Sequence, residues 1–249
     1  QGQFFTPKNV VNMIVNMMDI QPNEKIIDPF CGSGGFLVEA LKNVWNKSEK
    51  NNNELGWPER EIEIEKQKIA IENFRGKDDF LSKVCKAQMA ILGDGRGGVF
   101  CENSLDIPNR WQAKTQDKIA LNKFDVVITN PPYGSKIKID DKEILKQFEV
   151  GLKWKKDKKT GQWIKDKMKE NDTPQNLAIE RCMQFLKPGG RMALVLPDGI
   201  YGNDSLGYIR KYLLDNGRVL AIVDLPKETF MPHTSTKTTV ILIHKYKDE

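Results

Sequence analysis

Between residues 26 and 44 the chain changes its period. Ile26 and Ile27 form a short apolar run of strand type, and Gly32-Ser33-Gly34-Gly35 interrupts it. Phe36, Leu37, Ala40, Leu41 and Val44 then recur with helical spacing. Strand, glycine loop and helix in that order form the first half of a mononucleotide-binding unit, which few folds can complete. The alternation continues along the chain. Thr6-Pro7 predicts a helix start, with Thr6 as N-cap and Pro7 at the first helical position, ahead of an apolar face of Val10, Val11, Ile14, Val15 and Met18. Helices are expected over 80–92, stopped by Gly93-Asp94-Gly95, and over 177–186, closed by Lys187-Pro188-Gly189-Gly190. Short strands are expected at 99–101, 125–129, 192–196, 220–223 and 240–243. This alternation predicts an α/β fold, with a mostly parallel central sheet and helices on both faces.

With 249 residues, the chain suits one full-sized α/β domain spanning 1–249. No apolar run is long enough to cross a bilayer, and no basic segment leads into an apolar one at the start. The opening residues already read as working protein, as expected of a piece of something longer. Cys31, Cys85, Cys101 and Cys182 show neither metal-knuckle nor redox-pair spacing, so reduced thiols in a cytoplasmic protein are expected, and no metal. The net charge of +5 permits a polyanionic partner without demonstrating one.

Two segments depart from the rhythm. Residues 46–65 are polar and weakly periodic, and read as a surface connection. Residues 136–172 hold twelve lysines and eight acids, together with Trp154 and Trp163. They read as an insertion. A solvated, mobile segment is the plainer reading, and an arm against a nucleic-acid backbone the functional one.

Three motifs carry chemistry. Asp28-Pro29-Phe30-Cys31-Gly32-Ser33-Gly34-Gly35 allows a ligand close to the backbone, at free N–H groups of the next helix. It matches neither the GxxxxGK[ST] phosphate loop nor the GxGxxG dinucleotide fingerprint. Asn130-Pro131-Pro132-Tyr133 follows an apolar strand directly, at the end where α/β sheets bind ligands. Its prolines remove two N–H donors and leave an acceptor edge, the Asn130 side-chain oxygen and the Pro131 carbonyl, suited to a planar NH₂ group. Tyr133 offers a flat face to a ring. The third motif, Gly2-Gln3-Phe4-Phe5-Thr6-Pro7, is on its own only a helix start. Neither histidine, His233 nor His244, is given a role.

Taken together, GQFFTP, DPFCGSGGF, NPPYG and LKPGGRMALVLPDGI, in that order, resemble the modification subunits of type I restriction–modification systems and related N6-adenine DNA methyltransferases. The likeness runs from Gln3 to about Lys245. It implies a Rossmann-like class I methyltransferase fold and S-adenosyl-L-methionine as cofactor. Gln3, Phe4, Phe5, Thr6, Pro7 and Lys8 are then expected to close over the cofactor. Asp28, Pro29, Gly32, Ser33, Gly34 and Gly35 would cradle its methionine portion, with Asn130 alongside. Asn103, with Ser104, stands where the family usually places an aspartate for the cofactor's adenine. Asp78 is the best match to the acid that holds the ribose, although Lys77 beside it replaces an apolar residue. Phe230 matches the aromatic that stacks on a flipped base. The implied partners are double-stranded DNA, a separate specificity subunit and a restriction subunit, with no membrane. A helical N-terminal region and a target-recognition region, expected of a whole modification subunit, are absent from these 249 residues.

The expected reaction is direct methyl transfer to adenine N6, with Asn130, Pro131, Pro132, Tyr133 and Phe230 as the catalytic set and the target base outside the stack. A C5-cytosine enzyme needs a cysteine nucleophile, usually after proline, and no Pro-Cys occurs. An N4-cytosine DNA methyltransferase, a protein-glutamine methyltransferase and a catalytically silent DNA-binding or assembly subunit stand as alternatives.

Overall fold

A computed structural model describes residues 5–93, 98–134 and 137–247. Its elements run α1 (Lys8–Met18), β1 (Ile26–Asp28), α2 (Gly35–Glu54), α3 (Glu59–Asn73), β2 (Phe74–Lys77), α4 (Ser82–Leu92), β3 (Val99–Phe100), α5 (Ala113–Gln116) and β4 (Phe124–Thr129). They continue with α6 (Lys142–Leu145), β5 (Leu152–Lys156), β6 (Trp163–Met168), α7 (Pro174–Phe185), β7 (Leu186–Pro197), α8 (Gly199–Gly202), α9 (Gly207–Asn216), β8 (Gly217–Asp224) and β9 (Thr238–Lys245). Seven strands form one sheet in the order β3-β2-β1-β4-β7-β9-β8. Every pairing from β3 to β7 is parallel, and β9 runs antiparallel to both its neighbours.

Alternate side chains of a strand face opposite sides of a sheet, and here each side has its own core. Val126 and Ile128 of β4 join Ile14, Leu37, Leu41 and Phe74 on the face covered by α1 and α2. Val127 joins Ile27, Leu177, Ile179 and Phe185 on the other face, beneath α7. β1 is buried along its whole length, as a central parallel strand must be.

Several expectations need correction. Thr6 does not cap α1. Pro7 occupies the cap position with extended backbone, and no side chain caps the helix among the described residues. Residues 46–65 are mostly helical, because α2 continues through Glu54 and α3 begins at Glu59. The turn between them uses Gly56 at φ +75° and Pro58. The weak periodicity reflects exposure, since α3 buries only Ile62, Ile69 and Ala70 among its described side chains. The segment Lys187-Pro188-Gly189-Gly190 is no terminator. Leu186 already pairs with Phe124, the strand bulges, and pairing resumes with Arg191 beside Val126.

The lysine-rich insertion is structured. β5 and β6 form an antiparallel hairpin, and an isolated bridge between Ile139 and Asp172 closes its base. Trp154 stacks on Tyr208 of α9 with centroids 6.0 Å apart, and Trp163 meets the same ring edge-on at 6.0 Å.

Candidate active site

Strand order reverses direction between β1 and β4, so a crevice opens beyond their carboxyl ends. The two strands pair in parallel with Ile27 beside Val127, which brings Asp28 and Asn130 to the same end of the sheet. The two main motifs, 102 residues apart in the chain, therefore meet at one crevice.

The glycine loop is shaped by its neighbours. Gly34 has φ +97°, and a Cβ there would lie 2.7 Å from Cys85 Sγ. The Gly32 N–H donates to Asp78 Oδ2 at 3.1 Å, while Asp78 Oδ1 accepts from the N–H groups of Phe80 and Leu81 at 2.8 and 2.6 Å. Asp78 thus ties the loop after β1 to the entry of α4. The Phe30 N–H donates to Asp28 Oδ1 at 3.1 Å.

At the end of β4 the Asn130 amide nitrogen donates to Thr6 Oγ1 at 3.1 Å. Asn130 Oδ1 is buried and has no hydrogen-bond partner among the described residues. The Tyr133 hydroxyl donates to the Val195 carbonyl at 3.3 Å, which fixes the direction of the ring.

Two adjoining pockets share Phe30 and Phe80. One is lined by Phe5, Thr6, Asp28, Gly32, Asn130 and Pro131, among others. The second is lined by Asp78, Asn103, Pro132, Tyr133, Ile139 and Pro174, among others. Together they form a cleft that runs from the glycine loop past the acceptor edge to the ends of β2 and β3.

The cleft thus collects most of the residues singled out in the sequence. Ser33 and Gly35 line the first pocket, and Pro29 and Ser104 the second. Ser104 Oγ donates to the Pro29 carbonyl at 2.6 Å, so it braces the loop and its hydroxyl is already engaged. Asn103 Oδ1 accepts from the Leu105 N–H at 2.8 Å. Pro7, Lys8 and Gly34 are absent from both described linings, and Gln3 and Phe4 lie outside the described residues. Phe230 is likewise absent from both described linings. It is 2% exposed, in the apolar cluster that holds Leu225 and Val240. Sequence reasoning missed Phe80, an aromatic 78% exposed at the seam of the two pockets. Its signal was an apolar ring directly after an acid pair at a helix entry.

The whole chain, residues 1–249, matches the N-6 DNA Methylase family. The chain belongs to that family. It is 28% identical over 247 residues to the type I restriction enzyme EcoEI methylase subunit of Escherichia coli, covering 98% of this chain and 42% of that protein. A solved structure of a type I R-M system is 26% identical, with a TM-score of 0.71, over 97% of this chain and 42% of the other. The EcoKI M protein, 24% identical with a TM-score of 0.66 over 98% and 44% of the two chains, shares the fold. A Listeria monocytogenes structure assigned to the class I S-adenosylmethionine-dependent methyltransferases, 19% identical with a TM-score of 0.65 over 98% of this chain and 62% of that one, also shares the fold. This member of the N-6 DNA methylase family spans about two fifths of the length of the curated relatives it matches.

Burial shifts several ionisable groups at the cleft and behind it. Burial pushes the Asp28 carboxyl up to about 7. Burial also raises Asp79 and the Tyr133 hydroxyl. Lys77, at the end of β2, is wholly buried. Its Nζ lies 3.3 Å from the centroid of Trp111 and 3.8 Å from Glu102 Oε2, and desolvation pulls it down to about 7. Among the described residues no cluster of three or more His, Cys, Asp or Glu could hold a metal, and no helix is long and apolar enough to cross a membrane.

Proposed function

We propose that residues 1–249 are the catalytic domain of a DNA modification subunit, which transfers a methyl group from S-adenosyl-L-methionine to N6 of an adenine flipped out of double-stranded DNA. One observation carries this reading. The Asn130 amide is held by its nitrogen on Thr6, and its oxygen is buried without a partner among the described residues, in a residue that lines the cleft with Pro131. A buried acceptor without a partner costs stability, on the order of 1–3 kcal/mol, and is expected where a ligand supplies the donor. A planar amine presented to Asn130 Oδ1 and the Pro131 carbonyl donates one hydrogen bond to each. That draws the nitrogen toward tetrahedral geometry and frees its lone pair for attack. Tyr133 offers its ring to the base.

The cleft also fits the cofactor. Gly32 to Gly35 give a close backbone approach, and Asp28 provides a carboxylate for an ammonium group. Phe80 offers a face to a purine, and Asn103, with its oxygen engaged by Leu105, retains amide donors for ring acceptors. Asp78 is placed to accept from a ribose hydroxyl. Phe5 and Thr6, in the middle of the segment 3–8, cover the methionine end. When bound, the cofactor supplies a methyl already activated on sulfonium, so alignment is the chain's main task. Tyr133 is the aromatic next to the acceptor edge, and Phe230, outside both described linings, is the expected second face for the base.

The relatives' type I assemblies support a separate specificity subunit and a restriction subunit as partners, and cytoplasmic action on the cell's DNA. The test is transfer of labelled methyl by the native protein with its specificity partner, followed by nucleoside analysis. Label in N6-methyladenine supports the reading. Label in N4-methylcytosine or in protein glutamine overturns it.

A further inference from the structure

The hairpin formed by β5 and β6 is a second surface with a chemistry of its own. From Leu152 to Met168 it holds seven lysines against two acids, a surplus of five that equals the net charge of the whole chain. Lys155 pairs with Asp166 at 3.3 Å and Lys165 with Glu149 at 2.5 Å. Lys153, Lys158, Lys159 and Lys167 are exposed and make no ion pair among the described residues.

This charge is held in place. Trp163 sits over Gly207, where an added Cβ would meet its Nε1 at 2.8 Å, and both tryptophans rest on Tyr208. Lys169 Nζ ties the base of the hairpin together by donating to the Val150 carbonyl, Asp172 Oδ2 and the Tyr208 hydroxyl at 2.7, 2.7 and 2.9 Å. At the tip Asp157 Oδ1 accepts from the N–H groups of Lys159 and Thr160 at 2.9 and 2.8 Å, which sets Lys158 and Lys159 at the apex. The insertion also starts and ends at the cleft. Gly134, Ile137, Ile139 and Pro174 line the pocket that holds Tyr133.

We propose that the hairpin Leu152–Met168 is a docked outrigger that grips the phosphate backbone of the duplex beside the flipped base, through Lys153, Lys158, Lys159 and Lys167. The inference rests on the DNA-methylating function proposed above. Four ammonium groups with no acid partner among the described residues, on a ribbon rooted at the lip of the site, complement a line of phosphates. They contribute affinity and register without reading sequence. Docking onto α9 distinguishes this from a loose polycation, because Trp154 and Trp163 hold the ribbon on Tyr208.

The test uses the native protein with its specificity partner and a duplex containing the modified site. With Lys153, Lys158, Lys159 and Lys167 all changed to Gln, the slope of log Kd against log salt is expected to fall in magnitude by about 3 to 4, near 0.9 per lost phosphate contact. Cofactor affinity and the methylated sequence are expected to stay unchanged. Gly207→Val, which displaces Trp163 but keeps every lysine, is expected to weaken duplex binding at least tenfold at an unchanged melting temperature of the α/β domain. An unchanged salt slope in the lysine variant, with methylation intact, overturns the outrigger and leaves the function standing. Full affinity in Gly207→Val overturns the docked geometry. Absence of methyl transfer to DNA by the wild-type assembly overturns both readings together.

Discussion

Asn130 reaches back across 124 positions of the chain to donate its amide N–H to Thr6 Oγ1 at 3.1 Å. The nitrogen is engaged on Thr6, and the buried Oδ1, which has no hydrogen-bond partner among the described residues, is the acceptor we propose for an incoming amine. The segment before α1 and the turn after β4 thus act as one device.

Removing that acceptor is expected to slow chemistry far more than it weakens cofactor binding. For Asn130→Ala the loss in kcat should be on the order of 100-fold or more, as for other single polar groups aimed at a transition state. Thr6→Val leaves the amide free to turn and should cost less, on the order of 10-fold. Single-turnover methylation beside calorimetric cofactor binding checks both. Equal losses in rate and affinity for Asn130→Ala would contradict the role given to Oδ1.

Cofactor affinity should rise with pH through about 7. Burial raises Asp28 to about 7 in the free protein, so below that pH the carboxyl must lose a proton before it can pair with an ammonium group. The same shift has a stability consequence. The unfolded chain binds fewer protons than the folded one between about 4 and 7. The stability contributed by neutral Asp28 is therefore present at low pH and lost as pH rises through about 7. Asp28→Asn is expected to bind cofactor poorly and to unfold at higher denaturant than the wild type at pH 8. Calorimetry in buffers of different ionisation enthalpy near pH 6 should show proton release on binding. Its absence would remove Asp28 as the ammonium partner.

Lys77 has the opposite pH signature. Desolvation lowers it to about 7, so between about 7 and its ordinary value of 10.5 the unfolded chain binds more protons. Stability contributed by neutral Lys77 grows as pH rises across that window and is lost as pH falls through about 7. The paired change Lys77→Met with Glu102→Gln removes both buried charges and should stabilise the fold by about 1–4 kcal/mol at pH 7. It should also flatten the gain between pH 7 and 9. Chemical denaturation at the two pH values measures this, and a destabilised double variant would show that the pair is net favourable.

Gly34→Ala introduces both a left-handed strain and a contact with Cys85 Sγ at 2.7 Å. The expected loss is about 2–4 kcal/mol, and adding Cys85→Ala should recover the contact but not the strain of about 1 kcal/mol. Thermal unfolding of the single and double variants separates the two. Full recovery would mean that the backbone tolerates alanine at φ +97°.

The sequence by itself determined the class of fold, the motif at each active strand end and the chemistry of the acceptor edge. These depend on local period and on side-chain type, as with the apolar run before Asn130 and the two prolines after it. It also showed Lys77 to be out of place, without showing what that lysine meets. Only the tertiary structure decided the rest, because long-range packing overrides local preference. Thr6 looked like a helix cap and became the partner of Asn130, since the Asn130 amide lies within its reach and the α1 backbone does not use it. Ser104 lines the second pocket, as its motif suggested, and the fold adds a brace to Pro29. The lysine-rich insertion looked mobile and became a hairpin, because Tyr208 and Gly207, some forty residues downstream, present a face that two tryptophans bury. Phe230 carried the right residue type in the right motif, and the fold buries it in an apolar cluster that also holds Val11 and Phe36 of the first pocket.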